Sequence, residues 1–202
     1  MAASPDAYDR NDEMCDFFRK AFLKDGFSIQ CFDLIDQRYS NFTKDDLQKY
    51  DVIVLGGGHV PTQNRFFKNI HLREKIKDFD GIIIGISAGS MNSADLVYCQ
   101  PEEDGEAIDS NFQRWIEGLG LTKTNILPHY QMVKDRYLDG MRLYEDITYQ
   151  DSINHPFITL VDGSYILLDH EETIYGESYL IVDGKIQMIC HDNETIKVSD
   201  IY

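Results

Sequence analysis

The pentapeptide Gly85-Ile86-Ser87-Ala88-Gly89 has the residue types and spacing of a site for nucleophilic chemistry. It follows an apolar run at 81–84 and precedes a helix-compatible segment, which is the strand–turn–helix layout of a nucleophile elbow. Such a turn raises the Ser87 hydroxyl above a sheet and directs the Ala88 N–H toward the same space. The flanking glycines allow a tight, strained turn where side chains would clash. A plain glycine-rich turn shares this pattern, so the interpretation depends on the surrounding residues.

A second glycine run, Gly56-Gly57-Gly58, follows the short strand predicted over residues 51–55. Consecutive glycines let a backbone approach a ligand closely and present its N–H groups. The N–H of Gly57 or Gly58, together with that of Ala88, would form an oxyanion hole with two donors. The alternative is a phosphate-binding loop, but the run lacks both the Lys-Ser/Thr of a P-loop and the G-x-G-x-x-G of a dinucleotide site.

A serine nucleophile needs a base, and the base needs an acceptor that fixes its tautomer. His129 follows a short apolar strand and Pro128, at the sheet edge where sites form in open α/β folds. It is the base we favour over an ordinary surface or core histidine. Spacing alone does not choose the acid among five downstream carboxylates: Asp146, Asp151, Asp162, Asp169 and Glu171.

Segments that resemble strands and helices alternate over the first two-thirds of the chain. Helices are predicted at 11–24, from residue 43, and at 62–78 with a break near Asn69, and strands at 28–34, 51–55 and 81–84. This alternation predicts a mostly parallel central sheet covered on both faces, a three-layer α/β sandwich. Five strands follow at 157–160, 165–168, 173–175, 178–182 and 185–190, with hairpin turns at Asp162-Gly163 and Asp183-Gly184. We expect a single domain over residues 1–202.

Composition narrows the classes of partner. The formal net charge is −16, which argues against nucleic acid and anionic membranes, and no apolar run approaches the roughly 20 residues of a membrane span. The N-terminus lacks the features of a secretory signal, so we expect a cytoplasmic protein. Four widely spaced cysteines and six histidines without ligand spacing predict no disulfide, metal or cofactor. A homodimer is the oligomer expected by frequency.

Taken in order, the glycine run, the Gly-x-Ser-Ala-Gly elbow, Pro128-His129 and Asp162-Gly163-Ser164 resemble the peptidase E and cyanophycinase family of serine peptidases. The resemblance covers nearly the whole chain. It implies a class I glutamine amidotransferase-like fold, with Ser87 as nucleophile, His129 as base and Asp162 as the third member. The oxyanion donors implied are the backbone N–H groups of Gly57 or Gly58 and of Ala88.

The chain departs from that family at three places. Asp162 stands where the family usually has glutamate. His59-Val60-Pro61-Thr62-Gln63-Asn64 replaces an Asn-Thr pattern, so an aspartyl-dipeptide preference does not carry over automatically. The strand with which the family begins has no counterpart, so we expect the first strand to be missing. The substrate-binding residues expected are His59, Gln63, Asn64 and Glu102, the last from an acidic stretch at 101–106 that is also typical of a solvated loop.

The sequence therefore predicts a hydrolase that cleaves an amide bond in a small peptide through a Ser-His-Asp triad and an acyl-enzyme. An aspartyl dipeptidase or another exopeptidase fits this description. An α/β-hydrolase esterase is disfavoured because its acid precedes its histidine in the chain, and a glutaminase because that chemistry needs cysteine at the elbow. A non-catalytic binding module that retains the fold is the alternative from another class.

Overall fold

The computed structural model describes residues 1–201 as a mixed α/β protein. The contacts between residues divide the chain into two compact units. Unit 1 contains Met1–Asp95 and Glu117–Leu121, and unit 2 contains Leu96–Ile116 and Thr122–Tyr202. The single domain and the one mostly parallel central sheet stay predictions. Within residues 1–201, no helix combines the length and the apolar character that crossing a bilayer requires.

Unit 1 is an α/β unit with one parallel strand pair. Its helices and strands are α1 (Tyr8–Lys24), α2 (Lys44–Leu47), β1 (Val52–Leu55), α3 (Val60–Asn69), α4 (Leu72–Ile76), β2 (Ile82–Gly85) and α5 (Ala88–Met91), with a 3₁₀ turn at Gln37–Tyr39. Strands β1 and β2 pair in parallel from Val52 with Ile82 to Leu55 with Gly85. The glycine run and the elbow therefore begin side by side, where both strands end.

A buried apolar cluster supports the β1–β2 pair and the helices that pack on it. The predicted break between α3 and α4 is confirmed, and it occurs where His71 adopts a left-handed backbone with φ 52°. The capping box predicted at Thr43 is present, with Asp46 as its partner. The buried members of the cluster are Leu47, Ile53, Leu55, Phe66, Phe67, Ile70, Leu72, Ile76 and Leu119.

The strand predicted at 28–34 is wrong, because this segment contains no strand. A strand is stable only when its backbone groups are paired along its length. The backbone next to residues 28–34 is the short segment Met1–Ala3, which bonds to β1 on one side. The Met1 amino group donates to Val54 O, and Met1 O accepts from the Gly56 N–H. On its other side, the Ala2 N–H donates to Ile35 O, beyond the end of the predicted strand.

Unit 2 holds most of the antiparallel strands. Its elements are β3 (Leu96–Tyr98), β4 (Trp115–Glu117, with Glu117 grouped in unit 1), β5 (Ile126–Leu127), α6 (Tyr130–Val133), β6 (Tyr137–Leu138), β7 (Met141–Arg142), a π-helical turn (Leu143–Thr148) leading into α7 (Tyr149–Asp151), β8 (Phe157–Leu160), β9 (Tyr165–Asp169), β10 (Glu171–Tyr175), β11 (Ser178–Val182), β12 (Lys185–Cys190), β13 (Thr195–Lys197) and a 3₁₀ turn (Val198–Asp200).

Two sheets of unit 2 determine where its polar residues lie. One sheet has the order β12-β11-β8-β5, in which only β5 and β8 are parallel, and the other has the order β13-β10-β9. The hairpin at Asp183-Gly184 is confirmed, with φ of 49° and 76° as a type I′ turn requires. The hairpin predicted at Asp162-Gly163 is wrong. A tight turn forms there, but β8 and β9 belong to different sheets, so the turn carries the chain from one sheet to the other.

Candidate active site

Ser87 lies at a sharp turn between β2 and α5. Its φ of 51° and ψ of −117° form a conformation that residues other than glycine rarely adopt. The N–H groups of Ser90 and Met91 donate to Ser87 O at 2.9 and 3.1 Å, which holds the turn in place. Strain of this kind persists only where the surrounding structure enforces it, and it is concentrated at functional sites.

The two glycines of the elbow are required by close packing rather than by their own backbone angles. A Cβ on Gly85 would lie 2.7 Å from Ser90 Cα, and one on Gly89 would lie 2.2 Å from Leu55 O. Neither glycine has a positive φ, because that conformation belongs to Ser87. The expectation that side chains at these two positions would clash is therefore confirmed: the glycines make room for α5 against β1 and the end of β2.

Gly89→Ala should destabilise the protein by about 3 kcal/mol, at the upper end of ordinary overpacking. The added methyl group meets a backbone carbonyl of β1, which cannot rotate away as a side chain does. Urea unfolding followed by circular dichroism measures the change. The control is Gly26→Ala, where a Cβ meets nothing within 4 Å but φ is +91°, so its loss should be limited to a backbone strain of roughly 1–2 kcal/mol. Equal losses of stability for the two variants would contradict the packing explanation.

The glycine run packs against the Ser87 side chain. A Cβ on Gly57 would lie 3.0 Å from Ser87 Cβ and 3.6 Å from Ser87 Oγ, so only a glycine leaves this space open. Ala88 is buried and is the first residue of α5, so its N–H has no acceptor inside that helix. Unit 1 thus brings together the serine hydroxyl and backbone of the proposed oxyanion hole.

Gln63 and Asn64, which the sequence suggested as substrate-binding residues, are buried. The Gln63 amide donates to Gly56 O at 2.7 Å and accepts from Asn92 Nδ2 at 3.0 Å. The sequence analysis did not single out Asn92, although an amide side chain directly after a helix of mostly small residues is a signal that could have identified it. His59 is the N-cap residue directly before α3, is half-buried, and places its Nδ1 2.9 Å from Thr62 Oγ1.

In unit 2, His129 follows β5 and has a left-handed backbone with φ 62°. Its Nδ1 lies 2.6 Å from Asp162 Oδ1. The carboxylate accepts a hydrogen bond from Nδ1–H, which leaves Nε2 as the nitrogen that can receive a proton. The His129 and Asp162 side chains are 40% and 46% exposed, so the pair contributes little to the free energy of unfolding.

Among the five candidate acids, Asp162 is the one whose carboxylate lies next to His129. The backbone N–H of Asp162 donates to Gln131 Oε1 at 3.1 Å. This bond ties the Asp162-Gly163 turn to α6, the helix that follows His129. The other four carboxylates have partners elsewhere: Asp146 with Arg142, Asp151 with Tyr98, Asp169 with His170, and Glu171 with Lys197.

Aromatic rings pack behind the residue that follows His129. The Tyr130 ring lies 5.3 Å from that of Tyr144 and 4.8 Å from that of Tyr179. Burial raises the pKa of Tyr144. A hydrogen bond to the Glu177 carboxylate raises the pKa of Tyr179 to about 12. These phenols therefore stay neutral at ordinary pH and serve as packing and hydrogen-bonding groups.

Glu102 lies in a loop ordered by acidic side chains. The Glu106 carboxylate accepts from the N–H groups of Glu102 and Glu103 at 2.8 and 3.0 Å, and Asp139 accepts from Gly105 N at 2.8 Å. The Glu102 carbonyl accepts from Arg136 at 2.5 Å. The loop is thus held in one shape within unit 2, with the half-buried Glu102 as part of it.

Comparisons with known proteins identify the family. The model of peptidase family S51 matches residues 4–175. A crystal structure of a peptidase from an acI-B1 Actinobacterium shares the fold, with a TM-score of 0.68, 16% identity, and coverage of 96% of this chain and 80% of that chain. A protein from Listeria monocytogenes EGD-e assigned to peptidase E aligns with a TM-score of 0.48, 17% identity, and coverage of 85 and 74%. No curated protein gave a significant match. The chain belongs to peptidase family S51, and it is a serine-type peptidase.

Proposed function

We propose that this peptidase cleaves an amide bond in a small peptide, with Ser87 as nucleophile, His129 as general base and Asp162 as the group that orients the base. The observation that carries the proposal is the strained backbone of Ser87, with φ 51°, at the end of a parallel strand. The 2.6 Å contact between His129 and Asp162 supports the assignment of base and acid.

In the acylation step, His129 Nε2 takes the proton of Ser87 Oγ while Oγ bonds to the carbonyl carbon of the substrate. The carbonyl oxygen becomes an oxyanion, which accepts hydrogen bonds from Ala88 N–H and from Gly57 or Gly58 N–H. The protonated imidazole then gives its proton to the amide nitrogen. The C–N bond breaks, the amine leaves, and an ester on Ser87 remains.

Deacylation repeats the sequence with water. His129 takes a proton from water while the water oxygen bonds to the ester carbon, and the oxyanion forms again at the same donors. The imidazolium returns the proton to Ser87 Oγ as the acid product leaves. In both half-reactions Asp162 holds Nδ1–H and stabilises the imidazolium, which is why the carboxylate matters although it touches no reacting atom.

The proposed fold for this chemistry is a three-layer α/β sandwich of the class I glutamine amidotransferase-like type, with one mostly parallel central sheet. The parallel pairs β1–β2 and β5–β8 support this arrangement. The first pair ends at the glycine run and the elbow, and β5 ends just before His129. Each proposed catalytic element therefore follows the carboxyl end of a parallel strand, as in other open α/β sites.

The substrate class we favour is a short peptide with a free α-amino group. Glu102, in the ordered acidic loop, is the proposed partner of that ammonium group, and His59, at the start of α3, is a proposed contact to the substrate. An aspartyl dipeptide is the first substrate to test. A homodimer and a cytoplasmic location remain predictions from the sequence.

The test is hydrolysis of aminoacyl p-nitroanilides and dipeptides by the wild-type enzyme and by Ser87→Ala in parallel. We expect cleavage after a free N-terminal residue, loss of cleavage when the α-amino group is acetylated, and no turnover by the variant. Cleavage confined to N-terminal Asp would define an aspartyl dipeptidase. Equal cleavage of acetylated substrates would overturn the exopeptidase proposal, and activity that survives in the variant would overturn the role of Ser87.

A further inference from the structure

Three buried amide side chains form a continuous hydrogen-bonded chain beneath the glycine run. Gln63 and Asn92 are 0% exposed and Asn64 is 4% exposed. Gln63 Nε2 donates to Gly56 O at 2.7 Å, and Asn92 Nδ2 donates to Gln63 Oε1 at 3.0 Å. Asn64 Nδ2 donates to Asn92 Oδ1 at 3.0 Å and to Glu117 O at 2.9 Å.

The direction of every amide in this chain follows from one end. A backbone carbonyl only accepts, so Gln63 must present its NH₂ group to Gly56 O, and its oxygen then faces Asn92. Asn92 must therefore donate its NH₂ group to that Gln63 oxygen, and the same group also donates to Val60 O at 3.2 Å. The Asn92 oxygen then faces Asn64 and accepts from it. Flipping any one amide would oppose two acceptors or two donors, so the three side chains have a single arrangement.

This arrangement controls one peptide plane in the glycine run. Gly56 C=O and Gly57 N–H belong to the same trans peptide unit, in which the two groups point in opposite directions. A bond that fixes the Gly56 carbonyl therefore fixes the direction of the Gly57 N–H. Gly57 packs against Ser87, and Asn92 caps the C-terminal end of α5, the helix that begins directly after Ser87. The network thus connects the Gly56–Gly57 peptide unit to the helix of the elbow, α5.

We propose that Gln63 is a positioning residue that presets the Gly57 N–H as an oxyanion donor, and that Asn92 holds this donor in register with Ser87. The inference rests on the proposed function, because it assigns Gly57 to the oxyanion hole. Oxyanion donors are effective only when they are already oriented before the reaction. A glycine backbone does not supply that order by itself, since it has the largest conformational freedom of any residue.

Gln63→Met is the first test, because methionine has a similar length and no hydrogen-bonding amide. We expect kcat to fall by up to about a hundredfold, the scale of a small misplacement of a catalytic group. KM should change little, since the interaction that is weakened, from the Gly57 N–H to the oxyanion, forms only in the transition state. The control is Gln48→Met in the same unit, which removes an amide bonded to Asp78 O and to the Asp80 N–H. Its kcat should match that of wild type.

Gln63→Glu adds a readout that a merely structural role would not produce. Burial raises the pKa of such a carboxyl above its ordinary value. Below that pKa the neutral group donates O–H to Gly56 O, and above it the ionised group has no donor. The ratio of its kcat to that of wild type should therefore be highest in acid and fall as pH rises through that pKa. The same ratio for Gln63→Met should not vary with pH.

An NMR measurement on protein labelled with ¹⁵N-glycine separates this inference from the proposed function. The chain has 14 glycines, so the Gly57 amide can be resolved. We expect its resonance to shift or broaden in Gln63→Met and to stay unchanged in Gln48→Met. An unchanged Gly57 resonance in Gln63→Met, or an altered resonance with wild-type kcat, would overturn the inference. A wild-type enzyme without turnover would instead overturn the proposed function, while the NMR result still reports on the network.

Discussion

Ser87→Ala is expected to lower kcat/KM for amide hydrolysis by at least about 10⁴-fold. The variant loses the only atom that forms the acyl-enzyme bond, so His129 has no hydroxyl from which to take a proton. Stability should change little, because the hydrogen bonds that hold the turn are accepted by the Ser87 backbone carbonyl. Initial rates on the best substrate from the library, at equal concentrations of folded enzyme, measure the effect.

The matched control for this variant is Ser93→Ala. It removes a serine hydroxyl from the segment that follows the elbow, where Ser93 Oγ donates to Gly89 O at 2.8 Å. Its activity should remain close to that of wild type. A fluorophosphonate probe should label the wild-type enzyme and Ser93→Ala but not Ser87→Ala. Labelling of Ser87→Ala at another residue would place the nucleophile elsewhere.

Asp162→Asn is expected to lower kcat by about 10⁴-fold, as in other triads that lose their carboxylate. The asparagine side chain no longer stabilises the imidazolium, and its NH₂ group favours the tautomer in which Nε2 carries the proton and cannot act as a base. The free energy of unfolding should change by less than about 1 kcal/mol, because the pair is partly exposed. Steady-state kinetics and urea unfolding, made on the same samples, test both expectations.

Asp183→Asn is the control for this second variant. Asp183 is also the first residue of an Asp-Gly turn in unit 2, and its carboxylate faces the Asn154 N–H rather than a histidine. Its kcat should equal that of wild type. Asp162→Glu, which keeps the carboxylate on a side chain one methylene longer, should retain far more activity than Asp162→Asn. Wild-type kcat in Asp162→Asn would show that another group orients His129.

Local signals predicted those parts of the fold in which the chain interacts with its own neighbours. The capping box at Thr43, the break between α3 and α4, and the hairpin at Asp183-Gly184 each depend on a few adjacent residues, and each was predicted correctly. The strained turn at Ser87 could also be predicted from the sequence, because a strand, two flanking glycines and a helix in that order leave the backbone few other geometries. In these places residue type alone limits the backbone.

Errors arose where pairing over long distances decides the outcome. The apolar pattern at 28–34 suits a strand, but a strand also needs a neighbour along its length. Asp162-Gly163 has the residues of a hairpin, yet β8 pairs with β5 and β11 instead of β9. The direction of the Gln63 side chain could not be predicted either. Hydrophobic periodicity does not show that the Gly56 carbonyl accepts its hydrogen bond from a side chain.

Unit 1 is discontinuous, and this has a consequence for the order in which it can fold during synthesis. Asn64 bonds Glu117 O, Arg73 bonds Gly118 O, and Leu119 completes the apolar cluster. A nascent chain that has reached Asp95 already contains the elbow but none of these partners. Translation must continue for about 1–5 s, at 5–20 residues per second, before residue 121 exists. The region around Ser87 is therefore synthesised early, but it can complete its packing only after residues 96–116, which belong to unit 2, have been synthesised.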